Sequence, residues 1–190
     1  MSASPPRGPR ATVHVADEQD AVDVDRTRWA RLASAVLDEL GVDAGAELTV
    51  TFVDEPAMAE LHVAHLGVPG PTDVLSFPVD GEAAAPELTE AAAAAGTGTP
   101  RLAGRLHGLP TGPEPWLLGD IVVCPAVAVR QAGEHAGTPD DEVALLVVHG
   151  ILHLLGLDHA ADDERAVMQA WERALLARHH GPTARDPWAA

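Results

Sequence analysis

Residues 149–159 read HGILHLLGLDH, which sets His149 and His153 four apart and His159 six further on. A four-residue step on a helix turns about 40° and rises about 6 Å, so two imidazoles at that spacing share one face. Gly156 stands between the second and third histidine. Glycine takes the left-handed backbone that ends a helix, and a chain turned back there can carry His159 to the same point. Three neutral imidazoles that converge leave a fourth position for water, the open pattern of catalytic zinc. A metal in that position lowers the pKa of its water to about 7 and stabilises a developing oxyanion. Without a shared ion, each ring beside so apolar a helix needs its own partner, at a cost in desolvation. Three imidazoles suit zinc, and also nickel or copper.

The spacing also matches the metzincin protease pattern H-E-x-x-H-x-x-G-x-x-H, with one departure: Gly150 stands where that pattern holds its glutamate base. A peptidase of that mechanism has no proton acceptor there, so the sequence keeps a metal scaffold without the peptidase chemistry. Asp158 either hydrogen-bonds a ligand imidazole or stabilises the turn after Gly156. Asp73 and Ser76, in Pro71–Pro78 (PTDVLSFP), are either substrate contacts or turn anchors.

These residues need elements to hold them. Residues 138–142 (TPDDE) supply a cap, a first-turn proline and three acids at the positive end of a helix dipole. The helix that follows is apolar nearly all round until Gly156, which marks it as the buried central helix. Helical spacing also predicts helices over residues 27–40, from Asp54 to about Gly67, from Pro125 to about His135, and over 162–178. Alternating or short apolar runs predict four strands, over residues 11–16, 48–53, 72–78 and 117–124. Pro78 should end its strand or lie at an edge. Residues 81–117 hold five consecutive alanines, scattered Gly and Pro and little apolar bulk, and are expected to be a disordered insertion. Residues 1–10 and 181–190 are expected to be flexible tails around one domain over 11–180.

The 190 residues fit one domain, and 46% hydrophobic residues suffice for a single core. No apolar run approaches the roughly 20 residues of a membrane span. The first ten residues have no hydrophobic stretch after their arginines, which argues against a secretory signal. Cys124 is the single cysteine, which excludes an internal disulfide and fits a reducing compartment, so a cytoplasmic protein is expected. The net charge is −17, with all twelve basic residues arginine. A general nucleic-acid binder would carry a basic face, so any polyanionic substrate must be met by a local patch or a metal cation.

HGILHLLGLDH closely resembles the signature of the YbeY family of rRNA-maturation endoribonucleases. PTDVLSFP resembles that family's other hallmark, and LGDIVV, residues 118–123, fits the strand between them. The resemblance covers residues 11–180, with 81–117 as an extra insertion. It implies an α+β domain: a small mixed four-stranded sheet packed on about five helices, with the metal site at the C-terminal end of the central helix. It implies a single-strand-specific endoribonuclease acting in 16S rRNA 3′-end maturation and ribosome quality control. His149, His153 and His159 match the metal ligands, with one Zn2+ per chain as the expected cofactor. The implied partners are ribosomal RNA, the small ribosomal subunit, a ribosomal protein and an assembly GTPase. Many relatives carry an arginine where this chain has Leu66, next to His65, which either contacts phosphate or is an exposed helical histidine. Two other functions stay open: a non-catalytic ribosome-assembly factor with a structural metal, and a metal-dependent hydrolase of another substrate.

Overall fold

The computed structural model describes residues 11–42, 45–79, 86–96, 98–102, 106, 109–110 and 114–189. Its elements run β1 Thr12–Asp17, α1 Arg26–Glu39, β2 Ala46–Phe52, α2 Glu55–Leu66, β3 Val74–Pro78, α3 Pro86–Ala95, β4 Trp116–Val123, α4 Pro125–Ala132, α5 Pro139–Leu154 and α6 Asp162–His179. The strands form one mixed sheet in the order β1-β2-β4-β3. β1, β2 and β4 are parallel, and β3 runs antiparallel to β4 at the edge. Pro78 ends that edge strand, where a missing N–H is tolerated. The chain is thus an α+β single domain.

Apolar clusters form on both faces of the sheet. Leu48, Val50 and Phe52 of β2 and Ile121 and Val123 of β4 join the main core with α1, α5 and α6. Val122 and Cys124 point the other way, with Leu75, into a smaller cluster closed by Met58 of α2. The central helix α5 packs against α1, α4, α6, β3 and β4, and its residues from Asp141 to Leu154 are buried apart from His149 and His153. From Val143 onward its buried positions are all apolar or glycine, as a helix enclosed by other elements requires.

Two expectations are corrected. Residues 81–117 are not a disordered insertion throughout, because Pro86–Ala95 forms helix α3 and docks on α6. Alanine is the strongest helix former, and Leu88 and Ala92, four apart, give the short helix one apolar face. Leu88 is wholly buried, and the Trp171 indole N–H donates to its carbonyl at 2.8 Å. Trp116 and Leu117 belong to β4. With α3 the described residues form six helices where about five were expected.

The second correction concerns residues 181–189, which pack against the domain rather than forming a free tail. Arg185 N–H donates to the Ala136 carbonyl at 2.9 Å, and Ala184 N–H to Asp141 Oδ2 at 3.1 Å. Residues 1–10, 81–85, 97, 103–105, 107–108, 111–113 and 190, on which the expected tails and insertion also fall, lie outside the described residues.

Candidate metal centre

The end of α5 builds the site. Gly156 has φ 85°, the left-handed conformation in which a side chain would be strained. Its N–H donates to the His153 carbonyl at 2.9 Å, and Leu157 N–H donates to the Leu152 carbonyl at 3.0 Å. Those two bonds are the Schellman pattern, which satisfies the last carbonyls of the helix while reversing the chain. Asp158 Oδ1 then accepts from the backbone N–H of His159 at 2.7 Å, so Asp158 holds the turn that presents the third ring.

The three imidazoles come together as the spacing predicts. His149 and His153 bring their Nε2 atoms to 3.1 Å, and His159 lies with its ring centre 5.3 Å from His149 and 5.0 Å from His153. One ring nitrogen from each falls within 4.8 Å of the others. Burial, followed by the neighbouring His149 and His159, lowers the pKa of His153 to about 4. That ring is therefore neutral at pH 7 and keeps a lone pair to offer.

A partner that fixes one of these rings comes from α6. Glu172, 4% exposed, receives His149 Nδ1–H on Oε1 at 2.7 Å and the Trp188 indole N–H on Oε2 at 2.8 Å. A carboxylate oxygen facing Nδ1 favours the tautomer with the proton there, which leaves the Nε2 lone pair free. A carboxylate behind a ligand histidine is the usual means of fixing tautomer and ring orientation. The donor set therefore fits a divalent cation such as zinc.

A cavity of about 270 Å³ opens beside the rings, with Asp73, His135, His149, His159, Arg165 and Trp188 in its wall. Asp73 is both wall and anchor: Oδ1 accepts from Val74 N–H at 2.8 Å and Oδ2 from Gln131 Nε2 at 2.7 Å. Gln131 also donates to Glu142 at 2.9 Å, a fully buried carboxylate that His135 Nδ1–H approaches at 2.8 and 3.0 Å. Ser76 lies on β3, its hydroxyl 3.5 Å from the Gly150 carbonyl. His65 sets its ring edge-on to Phe77 at 4.7 Å and is not part of the cavity wall. Leu66 ends α2 with 57% of its surface exposed.

Glu172, Trp188, His135, Glu142 and Arg165 were missed from sequence. One signal was present for Glu172. It follows Met168 by four on α6, so it falls on that helix's apolar stripe, where a carboxylate needs a partner.

Fold and site together define a single α+β domain that gathers three imidazoles at the reversed end of a buried helix, beside an open cavity. The chain belongs to the YbeY family: the family model described as Endoribonuclease YbeY matches residues 14–180. It is similar to the Endoribonuclease YbeY of Thermobifida fusca, 46% identical over 166 residues, covering 87% of this chain and 92% of that one. The Endoribonuclease YbeY of Acidothermus cellulolyticus is 46% identical over 167 residues, covering 87% and 89%. A solution structure of TM1509 from Thermotoga maritima covers 94% of this chain and all of that one, at 22% identity and a TM-score of 0.49.

Proposed function

We propose that this protein is a zinc-dependent endoribonuclease that cuts single-stranded segments of ribosomal RNA, acting in 16S 3′-end maturation and ribosome quality control in the cytoplasm. The observation that carries the reading is the convergence of three imidazole nitrogens within 4.8 Å beside an open cavity. Kinship with proteins named as endoribonucleases supports the choice of RNA over other phosphate esters. No helix among the described residues is long and apolar enough to cross a membrane.

His149, His153 and His159 would hold the ion. Zinc bound there supplies a water of lowered pKa and positive charge for the phosphate oxygens. Glu172, 2.7 Å from His149 Nδ1, favours the tautomer that leaves Nε2 unprotonated. The Schellman turn and Asp158 fix where His159 is presented. Gly150 leaves no carboxylate at the metzincin base position, which argues against peptide hydrolysis. Ribosomal RNA, the small subunit, a ribosomal protein and an assembly GTPase are the proposed partners.

The test compares wild type with His153→Ala for metal content by mass and for cleavage of a 16S precursor 3′ fragment. Loss of both with the fold retained supports the nuclease. One metal per chain in wild type with no cleavage, even with ribosomes present, favours the second reading, a non-catalytic assembly factor. The exposed apolar Leu66, where the resemblance places an arginine, is the observation behind that second reading.

A further inference from the structure

The cavity beside the imidazoles has one permanent cation in its wall among the described residues, Arg165. The two carboxylates of that wall are already engaged. Asp73 accepts from Thr72, Val74 and Gln131, and Glu172 accepts from His149 and Trp188. Arg165 is held more loosely. Its Nη2 donates to the His159 carbonyl at 3.3 Å, which keeps the guanidinium beside the third imidazole. Its Nη1 donates at 2.8 Å to Asp162, whose side chain is 97% exposed. A guanidinium carries about five N–H donors in a planar fork, so most of its donors remain open.

Helix stability does not account for a cation at this position. Arg165 lies near the start of α6, the end where the helix dipole disfavours positive charge, and its ion pair to Asp162 is screened by water. A phosphate is a better partner, because it matches the guanidinium fork in two parallel hydrogen bonds. The whole chain carries −17, so RNA approaches against a repulsive field and must be captured by local charge. At about 270 Å³ the cavity falls just under the size of sites that enclose a whole small-molecule ligand, and it suits one sugar-phosphate unit of a single strand.

We propose that Arg165 binds the phosphodiester of single-stranded RNA that seats beside the three imidazoles. The proposal rests on the endoribonuclease reading. Its alternative is a helix staple in which Arg165 serves only Asp162.

The experiment uses the full chain loaded with zinc and a short single-stranded RNA from the 16S precursor 3′ end. Wild type, Arg165→Ala, Arg165→Lys and Asp162→Ala are compared for zinc content, kcat and KM over a range of salt. Loss of a charge-assisted contact raises KM at least about tenfold in Arg165→Ala, with zinc content unchanged. The plot of log KM against log salt becomes shallower by about 0.7, the loss expected for one phosphate contact on a single strand. Arg165→Lys retains the salt slope but recovers only part of the KM, because a point charge replaces a fork. Asp162→Ala keeps KM at or below wild type. An unchanged KM and slope in Arg165→Ala, with wild type active, overturns the role of Arg165 and leaves the nuclease standing. So does an equal rise in KM in Asp162→Ala, the mark of a staple. A wild type that neither binds nor cuts the RNA brings down the endoribonuclease reading, and this proposal with it.

Discussion

Glu172 Oε1 lies 2.7 Å from His149 Nδ1, joining α6 to α5 across 23 residues of sequence. The other oxygen of Glu172 is held by Trp188 at 2.8 Å, so the segment after α6 reaches the imidazole cluster through one carboxylate. The contact fixes the ring of His149, which would lower the cost of ordering it for the proposed metal ion.

Replacing Glu172 by Leu is therefore expected to weaken zinc binding by roughly 10- to 100-fold, the range for loss of such a partner. Glu172→Gln should fall between, because its amide oxygen still accepts from Nδ1–H without the charge. Trp188→Phe should give the smallest loss, since it removes one donor to the carboxylate and leaves the packing. Competition with a chromophoric chelator measures all three. An affinity unchanged in Glu172→Leu would remove the carboxylate from the account of the site.

Gly150 is buried on α5 against β4, and a Cβ built on it would come within 2.9 Å of Ile121 Cδ1 and Cγ2. Ile121 is wholly buried and has little room to yield. Gly150→Ala should therefore destabilise by about 1–3 kcal/mol by overpacking, although alanine is the better helix former by about 1 kcal/mol. In an Ile121→Ala background the same change should become neutral or favourable. Urea denaturation of the four proteins in this cycle checks it, and equal effects in both backgrounds would show that the Ile121 contact is not the cause. The glycine thus serves helix–sheet packing at the position where a metzincin has its base.

The elements were legible where one periodicity dominated. The sixteen residues of α5 carry a cap, a first-turn proline and an apolar surface, and the sequence reading placed it within two residues at each end. The three histidines were legible because their convergence depends only on a helical turn and the backbone freedom of Gly156. Glu172 was not, because its partner is set by how α6 crosses α5, which no local pattern encodes. Residues 86–95 were misread for a different reason. Alanines bring little apolar bulk, yet Leu88 and Ala92 make one face that α6 completes. The C-terminal segment was misread because much of its hold comes from backbone N–H groups and one indole, which leave no trace in hydropathy.

The docking of α3 has a direct test. Leu88 is wholly buried beneath Trp171, so Leu88→Ala should cost about 2–5 kcal/mol of stability, as for other buried leucines. Glu90→Ala, an exposed change on the same helix, should cost under about 0.5 kcal/mol. Metal content should be unaffected in both, because α3 contributes no group to the imidazole cluster. If the unfolding midpoint of Leu88→Ala matched wild type, α3 would be an appendage rather than part of the core.

Asp141 couples the start of α5 to the C-terminal segment, and its charge makes that coupling dependent on pH. Burial alone would raise its carboxyl pKa, but hydrogen bonds from Thr138 at 2.7 Å, His180 at 2.8 Å and Ala184 N–H at 3.1 Å outweigh burial and hold it below the ordinary 3.8. Because the folded value is the lower one, the unfolded chain takes up the proton first as pH falls. The stabilisation is therefore complete above about pH 5 and is lost as pH drops below 3.8 through the folded value. Asp141→Asn should unfold about 1.5–3 kcal/mol more easily at pH 6, the range for hydrogen bonds to a charged group. The gap should close toward pH 3 in urea titrations. The same variant should loosen residues 184–188 to proteolysis and, through Trp188 and Glu172, weaken zinc binding at pH 7. A gap that stays constant down to pH 3 would mean that Asp141 acts by shape alone, and that its charge does not hold the C-terminal segment against the domain.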